Sequence, residues 1–383
     1  MPTLARHTLV HAGGRHLYVY GELRGELPAD ASAPGEPPQL HRRLDPLTGT
    51  WIAVSPARNT RPQTRPAPLS ADAPDGTPSC PLCPGGPELP FSYEAAVFEN
   101  RFPSLMADPP PPPAAEDATI APTAASVGRC EVVLYTEQHE GSLATLDPAQ
   151  VAQVIAVWTD RSNALWSQPD IAFVLIFENR GEGVGATLSH PHGQIYAFDH
   201  LPPNIALRND HHHAHRAEHG NCLGCRVVAM DAAATERQVA ANDSFTVGVP
   251  FAPHWPYEVH VRARRHGARR LGDLTGDEQC DLAAALRDLV LRYDRLFGHD
   301  LPFMMVVHEA PHDQPDWHLS FEFLPPHRGA DKLKIRASVE TATGLFINDT
   351  LPETTAAALR ATDPPAIDAR GCLVPEVRPT EEL

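Results

Sequence analysis

The spacing of apolar positions predicts a helix followed by a buried strand in the first half of the chain. Apolar residues from Val151 to Trp158 recur at the spacing of one helix face, and Asp147-Pro148 stands where such a helix begins. The apolar run IAFVLIF at 171–177 predicts a buried strand. The first half therefore contains at least one unit in which a helix packs against strands.

The second half repeats this order of elements. Thr275 and Glu278 have the capping-box pattern that begins a helix, and Gly298 marks its end. The runs FMMVV (303–307) and HLSFEF (318–323) predict two strands after that helix. We therefore expect two homologous α+β units, each built as strand, helix, strand, strand.

The spacing of glutamate and histidine residues supports the repeat. A glutamate precedes a histidine by eight residues in both halves, and the next repeated histidine follows after 51 residues in the first half and 52 in the second. We place the units at 41–205 and 206–330, with antiparallel sheets and flanking helices, and 1–40 and 331–383 as extensions. The six positions are Glu131, His139, His190, Glu258, His266 and His318.

Charge and hydropathy exclude several classes of protein. The 383 residues carry a formal net charge of −17, which argues against a broad nucleic-acid surface, although an arginine pocket can still hold a small phosphate ligand. No window approaches 18 uninterrupted apolar residues, and the N-terminal MPTLARHTLV lacks the apolar core of a signal peptide. We expect a cytoplasmic protein with neither nucleic acid nor a membrane as partner.

Four of the seven cysteines form two Cys-x-x-Cys pairs, one in each unit. With the repeated histidines, each unit has two thiolates and two imidazoles, which fill a tetrahedral zinc site and leave no position for a substrate. We expect a structural zinc ion in the first unit and a second in the other, with a chance pair or a redox motif as the alternative. The histidine run HHHAHRAEHG (211–220) we interpret as an exposed polar connector rather than a third metal site. The expected ligands are Cys80, Cys83, His139 and His190, and then Cys222, Cys225, His266 and His318.

The stretch SHPHGQIY carries His190 and His192 on either side of a proline. Aligning the two units matches His190 with a histidine, but matches His192 with Ser320 and Gln194 with Glu322. We interpret His190 as a metal ligand, and His192 with Gln194 as catalytic residues that only the first unit has. An unmetallated imidazole can attack phosphorus, and an amide can contact a phosphoryl oxygen. The alternative is a histidine that only forms hydrogen bonds within the fold.

Five segments of the chain match, in order, the blocks of one known enzyme family. They are RRLDPLTGTWIAVSPARNTRP (42–62), CPLC (80–83), FENRFPSL (98–105), FENRGEGVGATLSHPHGQ (177–194) and, overlapping the last, HPHGQIYA (190–197). From about residue 41 to 340 the chain resembles the galactose-1-phosphate uridylyltransferase family, a branch of the histidine-triad (HIT) superfamily. The resemblance implies two tandem HIT-like units and a ping-pong reaction. A histidine attacks the α-phosphorus of UDP-glucose, glucose 1-phosphate leaves, and galactose 1-phosphate captures the uridylyl group to give UDP-galactose.

The resemblance also implies roles for individual residues. His192 would be the nucleophile, with Gln194 beside the transferred phosphate. Arg58 and Arg61 would bind phosphate or sugar phosphate. A homodimer with the active site near the interface is expected. The remaining implied ligands are Phe98 and Asn100 at the uridine, and Asn179, Gly185 and Thr187 at the phosphates.

Two features depart from the best-known members of that family. Those members carry a second metal held by a glutamate and three histidines. The four matching positions here do not reproduce that complete set, so we expect the site to be absent. The cysteine-containing set of the second unit instead resembles the second zinc of a subgroup that includes plant ADP-glucose phosphorylase. Lys334 and Glu340 are kept as hexose contacts, but the glutamine expected shortly after is missing, which leaves the sugar open. The matching positions are Asn209, His308, Ser320 and Glu322.

Two alternative functions stay open at the level of the sequence. A nucleoside diphosphate sugar or dinucleotide phosphorylase would use the same His192 with inorganic phosphate as the acceptor. A binding module would hold a nucleotide without turnover, if His192 only orients it.

Overall fold

The computed structural model describes residues 2–28, 39–60, 80–362 and 372–380. The strands in these ranges are β1 (Thr3–Val10), β2 (His16–Tyr20), β3 (His41–Leu44), β4 (Trp51–Val54), β5 (Ala95–Glu99), β6 (Thr123–Ala124), β7 (Gly128–Leu134), β8 (Phe173–Arg180), β9 (His192–Phe198), β10 (Gln238–Ala241), β11 (Phe245–Gly248), β12 (Val259–Ala263), β13 (Phe303–His308), β14 (Ser320–Leu324), β15 (His327–Gly329), β16 (Lys332–Leu333) and β17 (Glu376–Pro379). The α-helices are α1 (Pro148–Trp166), α2 (Pro203–His219), α3 (Leu223–Ala233), α4 (Gly276–Leu296), α5 (Ser338–Thr343) and α6 (Pro352–Arg360).

The two long helices begin where the sequence predicts. The Asp147 side chain accepts from the Gln150 N–H at 2.8 Å, and the Gln150 side chain accepts from the Asp147 N–H at 3.0 Å. Thr275 and Glu278 form the same reciprocal pair at the start of α4. Such pairs satisfy backbone donors that the first helical turn leaves unpaired. Gly298, with a φ of 72°, lets the chain leave α4 in the left-handed region that other residues avoid.

Twelve strands form one continuous sheet, which confirms the predicted α+β class. The strand order is β10-β11-β12-β14-β13-β8-β9-β7-β5-β2-β1-β17. At its centre β8 pairs with β13 in antiparallel register, with Leu175 opposite His308 and Arg180 opposite Phe303. On one side of this seam run β9, β7 and β5, and on the other run β14, β12 and β11, in the equivalent order. The two units therefore share a single sheet.

The segments expected as extensions take part in the same sheet. Strands β1 and β2 continue it beyond β5, and β17 pairs with β1 in parallel at that edge. Strands β3, β4 and β6 form a separate three-stranded sheet. The histidine-rich connector between the units is the helix α2, most of whose residues are exposed.

One face of the large sheet carries α1 and α4, which pack against each other and against the strands below them. Apolar side chains from both helices and both units form one core, in which Trp158 and Phe321 are fully buried. The other face of the first unit carries the polar half of β9 and is only partly covered. Within the described residues, no helix combines the length and the apolar character needed to cross a membrane.

Breaking the buried ion pair that joins α1 to β7 should destabilise the protein strongly. The Arg161 Nη2 lies 2.6 Å from the Glu131 Oε1, both side chains are at most 5% exposed, and the guanidinium lies 3.8 Å from the Tyr18 ring centroid. We expect Arg161→Met to lower the free energy of unfolding by about 3–5 kcal/mol, because it leaves a buried carboxylate without its partner. Urea titration measures the loss. Arg269→Met, in the partly exposed pair with Asp273, is the control and should change stability by at most about 1 kcal/mol. Equal effects of the two variants would contradict the prediction.

Candidate active site and metal centres

The sheet register brings His192 and Gln194 to the open face of the first unit. Along β9, His192, Gln194 and Tyr196 are half-buried and alternate with fully buried residues that face the helices. Gln194 lies opposite Val132, which in turn lies opposite Phe98, so these residues form a row across the sheet. The candidate nucleophile and its amide partner are therefore on one accessible surface.

The imidazole of His192 is held in one tautomer. Its Nδ1 lies 2.7 Å from the carbonyl oxygen of His190. Because a carbonyl can only accept, Nδ1 carries the proton and Nε2 keeps the lone pair. The nitrogen farther from the backbone is thus the nucleophilic one.

Gln194 and Arg58 are oriented by neutral groups on the same face. The Asn100 Nδ2 donates to the Gln194 Oε1 at 3.4 Å, which leaves the amide NH₂ of Gln194 as the donor toward a ligand. The Arg58 Nη1 donates to the Tyr196 hydroxyl at 3.0 Å and to the Ser104 hydroxyl at 2.9 Å. Among the residues that the structure describes, none forms a salt bridge with Arg58. Arg61 lies outside those residues.

The loop between β8 and β9 brings the other expected phosphate ligands to the same end of the sheet. Continuing the β8–β9 register beyond Phe177 would put Asn179 opposite His192. Gly185, with a φ of 78°, ends a short 3₁₀ turn in a left-handed conformation. Thr187 follows it in the segment that leads back to His190. The loop and the candidate nucleophile are therefore neighbours.

The first cysteine and histidine set converges as predicted. Each of the four side chains offers a ligand atom, and these atoms all lie within 4.8 Å of one another. The Cys83 Sγ is 3.4 Å from the His139 Nδ1 and 3.6 Å from the His190 Nδ1, distances compatible with two ligands of one tetrahedral ion. The His190 Nε2 lies 2.8 Å from the Thr136 carbonyl oxygen, which keeps Nδ1 deprotonated and available. Burial lowers the pKa of His190 to about 4, so this imidazole is neutral at pH 7.

The second set also converges, with a different histidine nitrogen. Its four ligand atoms again lie within 4.8 Å of one another. The Cys225 Sγ is 3.3 Å from the His318 Nε2, while the His318 Nδ1 lies 2.8 Å from the Ala263 carbonyl oxygen. His266 is exposed whereas His139 is half-buried, and the two sets are otherwise buried to the same degree. Both sets could hold a metal ion, and the second is the more open.

On the equivalent face of the second unit, charged side chains occupy the position that corresponds to Gln194. Gln194, Phe177, Val306 and Glu322 form one row across the sheet. Arg208 of α2 forms an ion pair with Glu322, and the His308 Nε2 lies 3.0 Å from the same carboxylate. Burial alone would raise the pKa of Glu322, but the adjacent histidines and Arg208 hold it well below its usual range. A permanent anion here opposes the binding of a phosphoryl group.

Three of the residues that match the family's second metal are neighbours on the sheet, with Ser320 opposite His308 and Glu322 in contact with His308, but an asparagine and a serine occupy two of the four positions. Asn209 accepts from the Gln314 side chain at 2.7 Å, while His308 faces Glu322. Throughout the described part of the chain, only the two sets with paired cysteines bring three or more such ligands together. The donor set here does not fit that second metal.

Lys334 and Glu340 contact each other. The Lys334 Nζ lies 2.9 Å from the Glu340 Oε1, and both side chains are at most 7% exposed. Glu340 also accepts from the Ile347 N–H at 3.1 Å. This pair braces the segment from β16 to α6: among the described residues, its two side chains bond to each other and to the backbone of Ile347 rather than to the His192 face.

The sequence did not predict Tyr196, which lies on the face of the candidate site, or Tyr135, which supports that site from the opposite side of the sheet. Tyr196 could have been found, because it is the next residue after His192 and Gln194 in the two-residue alternation of a strand. Tyr135 lies on the helix-facing side, where its hydroxyl donates to the Glu178 Oε2 at 3.0 Å directly beneath Gly193. No local pattern marks that pairing, since it depends on three strands meeting.

Gly193 leaves room for the pair beneath it. A Cβ at this position would lie 2.4 Å from the Tyr135 Oη and 3.1 Å from the Phe177 carbonyl oxygen. We expect Gly193→Ala to lower the free energy of unfolding by about 1–3 kcal/mol through this overlap, with partial recovery in a Tyr135→Phe background. Thermal or urea unfolding measures both. Gly183→Ala, whose Cβ would have no neighbour closer than 3.7 Å, is the matched control. A Gly193→Ala protein as stable as the control would contradict this assignment.

Glu178 should make stability depend on pH. Burial raises the pKa of this carboxyl to about 7, against the opposing effects of Arg180 and the Tyr135 hydroxyl. Between its unfolded pKa near 4.5 and about 7, the native group keeps a proton that the unfolded chain has lost, so stability falls as pH rises through this window. We expect Glu178→Gln to lack that component in urea titrations from pH 5 to 8. Glu353→Gln, at an exposed carboxyl of α6, should keep the parent pH profile, and a parent profile in Glu178→Gln would refute the assignment.

Comparisons with known proteins agree with this geometry. Residues 35–202 match the model of the galactose-1-phosphate uridyl transferase N-terminal domain, and residues 208–364 match that of the C-terminal domain. A galactose-1-phosphate uridylyltransferase of Thermotoga maritima is 39% identical over 328 residues, covering 85% of this chain and 99% of the relative. One from Streptomyces lividans is 35% identical over 342 residues, covering 82% and 86%.

Solved structures extend the likeness to the fold. A uridylyltransferase structure superposes with a TM-score of 0.73 at 32% identity, covering 84% of this chain and 98% of that one. An ADP-glucose phosphorylase from Arabidopsis thaliana has the same fold, with a TM-score of 0.62 at 24% identity over 84% of this chain and 98% of that one. From the family models and the identity to these relatives, we conclude that this chain belongs to the galactose-1-phosphate uridyl transferase family.

Proposed function

We propose that this chain exchanges UMP between UDP-glucose and galactose 1-phosphate by a ping-pong mechanism through a uridylyl-histidine intermediate. The observation that carries the proposal is the His192 ring on the open face, whose Nδ1 is 2.7 Å from the His190 carbonyl oxygen. That contact leaves the lone pair on Nε2, and Gln194 is on the same face of β9. The curated relatives at 39% and 35% identity are named galactose-1-phosphate uridylyltransferases, which supplies the reaction class.

In both half-reactions the His192 Nε2 carries the uridylyl group: it forms the bond to phosphorus in the first and loses it in the second. First, the Nε2 lone pair of His192 forms a bond to the α-phosphorus of UDP-glucose while the bond from that phosphorus to glucose 1-phosphate breaks. Then a phosphate oxygen of galactose 1-phosphate attacks the same phosphorus, the N–P bond breaks, and UDP-galactose leaves. The ring becomes cationic in the intermediate, and the Nδ1–H bond to the His190 carbonyl stabilises that charge.

Polar groups around His192 support transfer of a phosphoryl group. The NH₂ of Gln194, oriented by Asn100, can donate to an oxygen on which charge develops. Arg58 brings a cation to the same face. We assign the remaining contacts by family motif: Arg61 and the loop residues Asn179, Gly185 and Thr187 at phosphate or sugar phosphate, Phe98 and Asn100 at uridine, and Lys334 and Glu340 at the hexose.

Both cysteine and histidine sets are proposed to hold structural zinc. Two thiolates and two imidazoles match the softness and tetrahedral preference of Zn²⁺, and convergence within 4.8 Å supports the fit. When bound, zinc supplies a fixed four-way crosslink and no open position for substrate. In the first set, His190 is both a ligand and the residue whose carbonyl orients His192, so an ordered centre helps to hold the nucleophile.

We further propose that the protein is a cytoplasmic homodimer. Each of its two chains contains the units 41–205 and 206–330. The segment after β15 exposes a row of apolar side chains that a second copy could cover. The two proposed metal sets need reduced thiols, which favours a reducing compartment. The exposed side chains are Leu333, Ile335, Val339, Leu345, Ile347 and Leu351.

One labelling experiment tests the reaction. The protein is incubated with UDP-glucose labelled in the uridylyl group, and acid-labile label on the chain is measured. We expect label to form and to be released by galactose 1-phosphate. Nucleotide binding without label would reject the transferase in favour of a binding module. Release by inorganic phosphate, but not by galactose 1-phosphate, would show a phosphorylase instead.

A further inference from the structure

Helix α2 carries a row of three histidines that the proposed function does not use. His211, His215 and His219 are four residues apart, so they lie one turn above another on the same helix face. His211 and His219 are exposed and His215 is half-buried. The neighbouring His212 is engaged elsewhere, with its ring stacked on Trp317 at a centroid distance of 5.0 Å. The helix therefore presents three imidazoles together, away from the core.

The last two rings of this row are already close together. The ring centroids of His215 and His219 are 4.6 Å apart. Gly220, with a φ of 69°, ends the helix in a left-handed conformation and turns the chain back. That turn brings the Asn221 Oδ1 to 2.9 Å from the His215 Nε2. Two imidazoles and one amide oxygen thus converge at the C-terminal end of α2, where the helix dipole is also favourable to a cation.

The sequence alone favours an exposed connector over a metal site here, but from this geometry we propose that His215 and His219 bind a divalent transition-metal ion of the zinc, nickel and copper class. Imidazole nitrogen is a preferred ligand of these ions. The Asn221 Oδ1 is the candidate for a third ligand, and water completes the coordination. With two histidine ligands and open positions, the site binds more weakly than the sets with paired cysteines.

The proposed site is near the second zinc set but shares no ligand with it. Asn221 lines the opening that also reaches Cys222, Cys225 and His266. No residue of the histidine row belongs to that set. An ion held by the row therefore sits beside the opening of the second set without sharing its ligands, and removing the row leaves those ligands intact. The proposal does not depend on the transferase reaction.

Nickel titration of the untagged, zinc-loaded full-length protein tests the proposal. Calorimetry should show nickel bound by the parent, and an immobilised-nickel column should retain it. The double variant His215→Ala/His219→Ala should bind nickel at least about 10²-fold more weakly, because the advantage of two linked ligands is lost. His213→Ala, on the same helix but outside the row, should behave as the parent.

Two further measurements show whether the double variant is still folded and still holds its zinc. Tightly bound zinc after a weak-chelator wash, and the circular dichroism spectrum, should be the same in the parent and in the double variant, whatever number of zinc ions the cysteine sets hold. Unchanged nickel binding in a folded double variant would overturn the proposal. So would a parent protein that binds no nickel at submillimolar concentration.

Discussion

His192→Ala should abolish uridylyl transfer, with kcat lower by roughly 10⁴-fold or more. The variant lacks the only atom proposed to form the bond to phosphorus, the Nε2 that keeps its lone pair because Nδ1 donates to the His190 carbonyl. The remaining groups can bind and orient a nucleotide sugar but cannot carry the uridylyl group between half-reactions. No acid-labile label should appear on the chain, and exchange between UDP-glucose and galactose 1-phosphate should be absent.

The controls separate loss of the nucleophile from loss of structure. The zinc content of His192→Ala should equal that of the parent, because this ring is not in either metal set. His200→Ala removes a half-exposed histidine beyond the other end of β9, whose ring contacts Asp199, and labelling should persist. If His192→Ala still becomes labelled at the parent rate, another residue is the nucleophile and the mechanism proposed here is wrong.

Cys83→Ser should produce the largest loss of stability among single changes at the metal sets. The Cys83 Sγ is within 3.6 Å of both imidazoles of the first set, so its loss breaks the set at its centre. Because structural zinc sites contribute directly to folding, we expect Tm to fall by roughly 10 °C or more. Transfer should fall as well, since His190 both belongs to the set and orients His192. Differential scanning calorimetry with metal analysis measures the effect.

Two other cysteines provide matched comparisons for that experiment. Cys225→Ser should remove metal from the second set with a smaller fall in Tm, because that set is more exposed. Cys280→Ser, outside both sets, should keep the full metal content. A Cys83→Ser protein with parent zinc content and parent Tm would show that the first set is not a structural metal site.

Much of the molecule follows from local signals in the sequence. The helices α1 and α4 begin at Asp147 and Thr275, because a capping side chain and its partner three residues later act within one turn. The strands on either side follow from apolar runs whose length and period are also local. Spacing between the repeats was enough to group the eight metal-ligand candidates correctly into two sets. These features need only neighbouring residues or a comparison of the chain with itself.

Other features depend on which strands pair, and no local pattern records that. The seam between β8 and β13 joins both units into one sheet and puts Gln194 and Glu322 in the same row. The contact of Arg58 with Tyr196 spans 138 residues. The sequence comparison showed that glutamate replaces glutamine in the second unit, and the fold added the Arg208 ion pair that fills this position.

The sequence by itself determined the repeated units, their helix starts and the chemical identity of the groups on β9. Only the tertiary structure decided which nitrogen of His192 keeps its lone pair, because that choice rests on a 2.7 Å contact with the carbonyl of a metal-ligand candidate two residues earlier. It also decided that the exposed histidine row on α2 ends beside Asn221 and the opening of the second set. Residue types and spacing fix which atoms are available, whereas the directions of hydrogen bonds and the approach of distant strands arise only when the whole sheet is assembled.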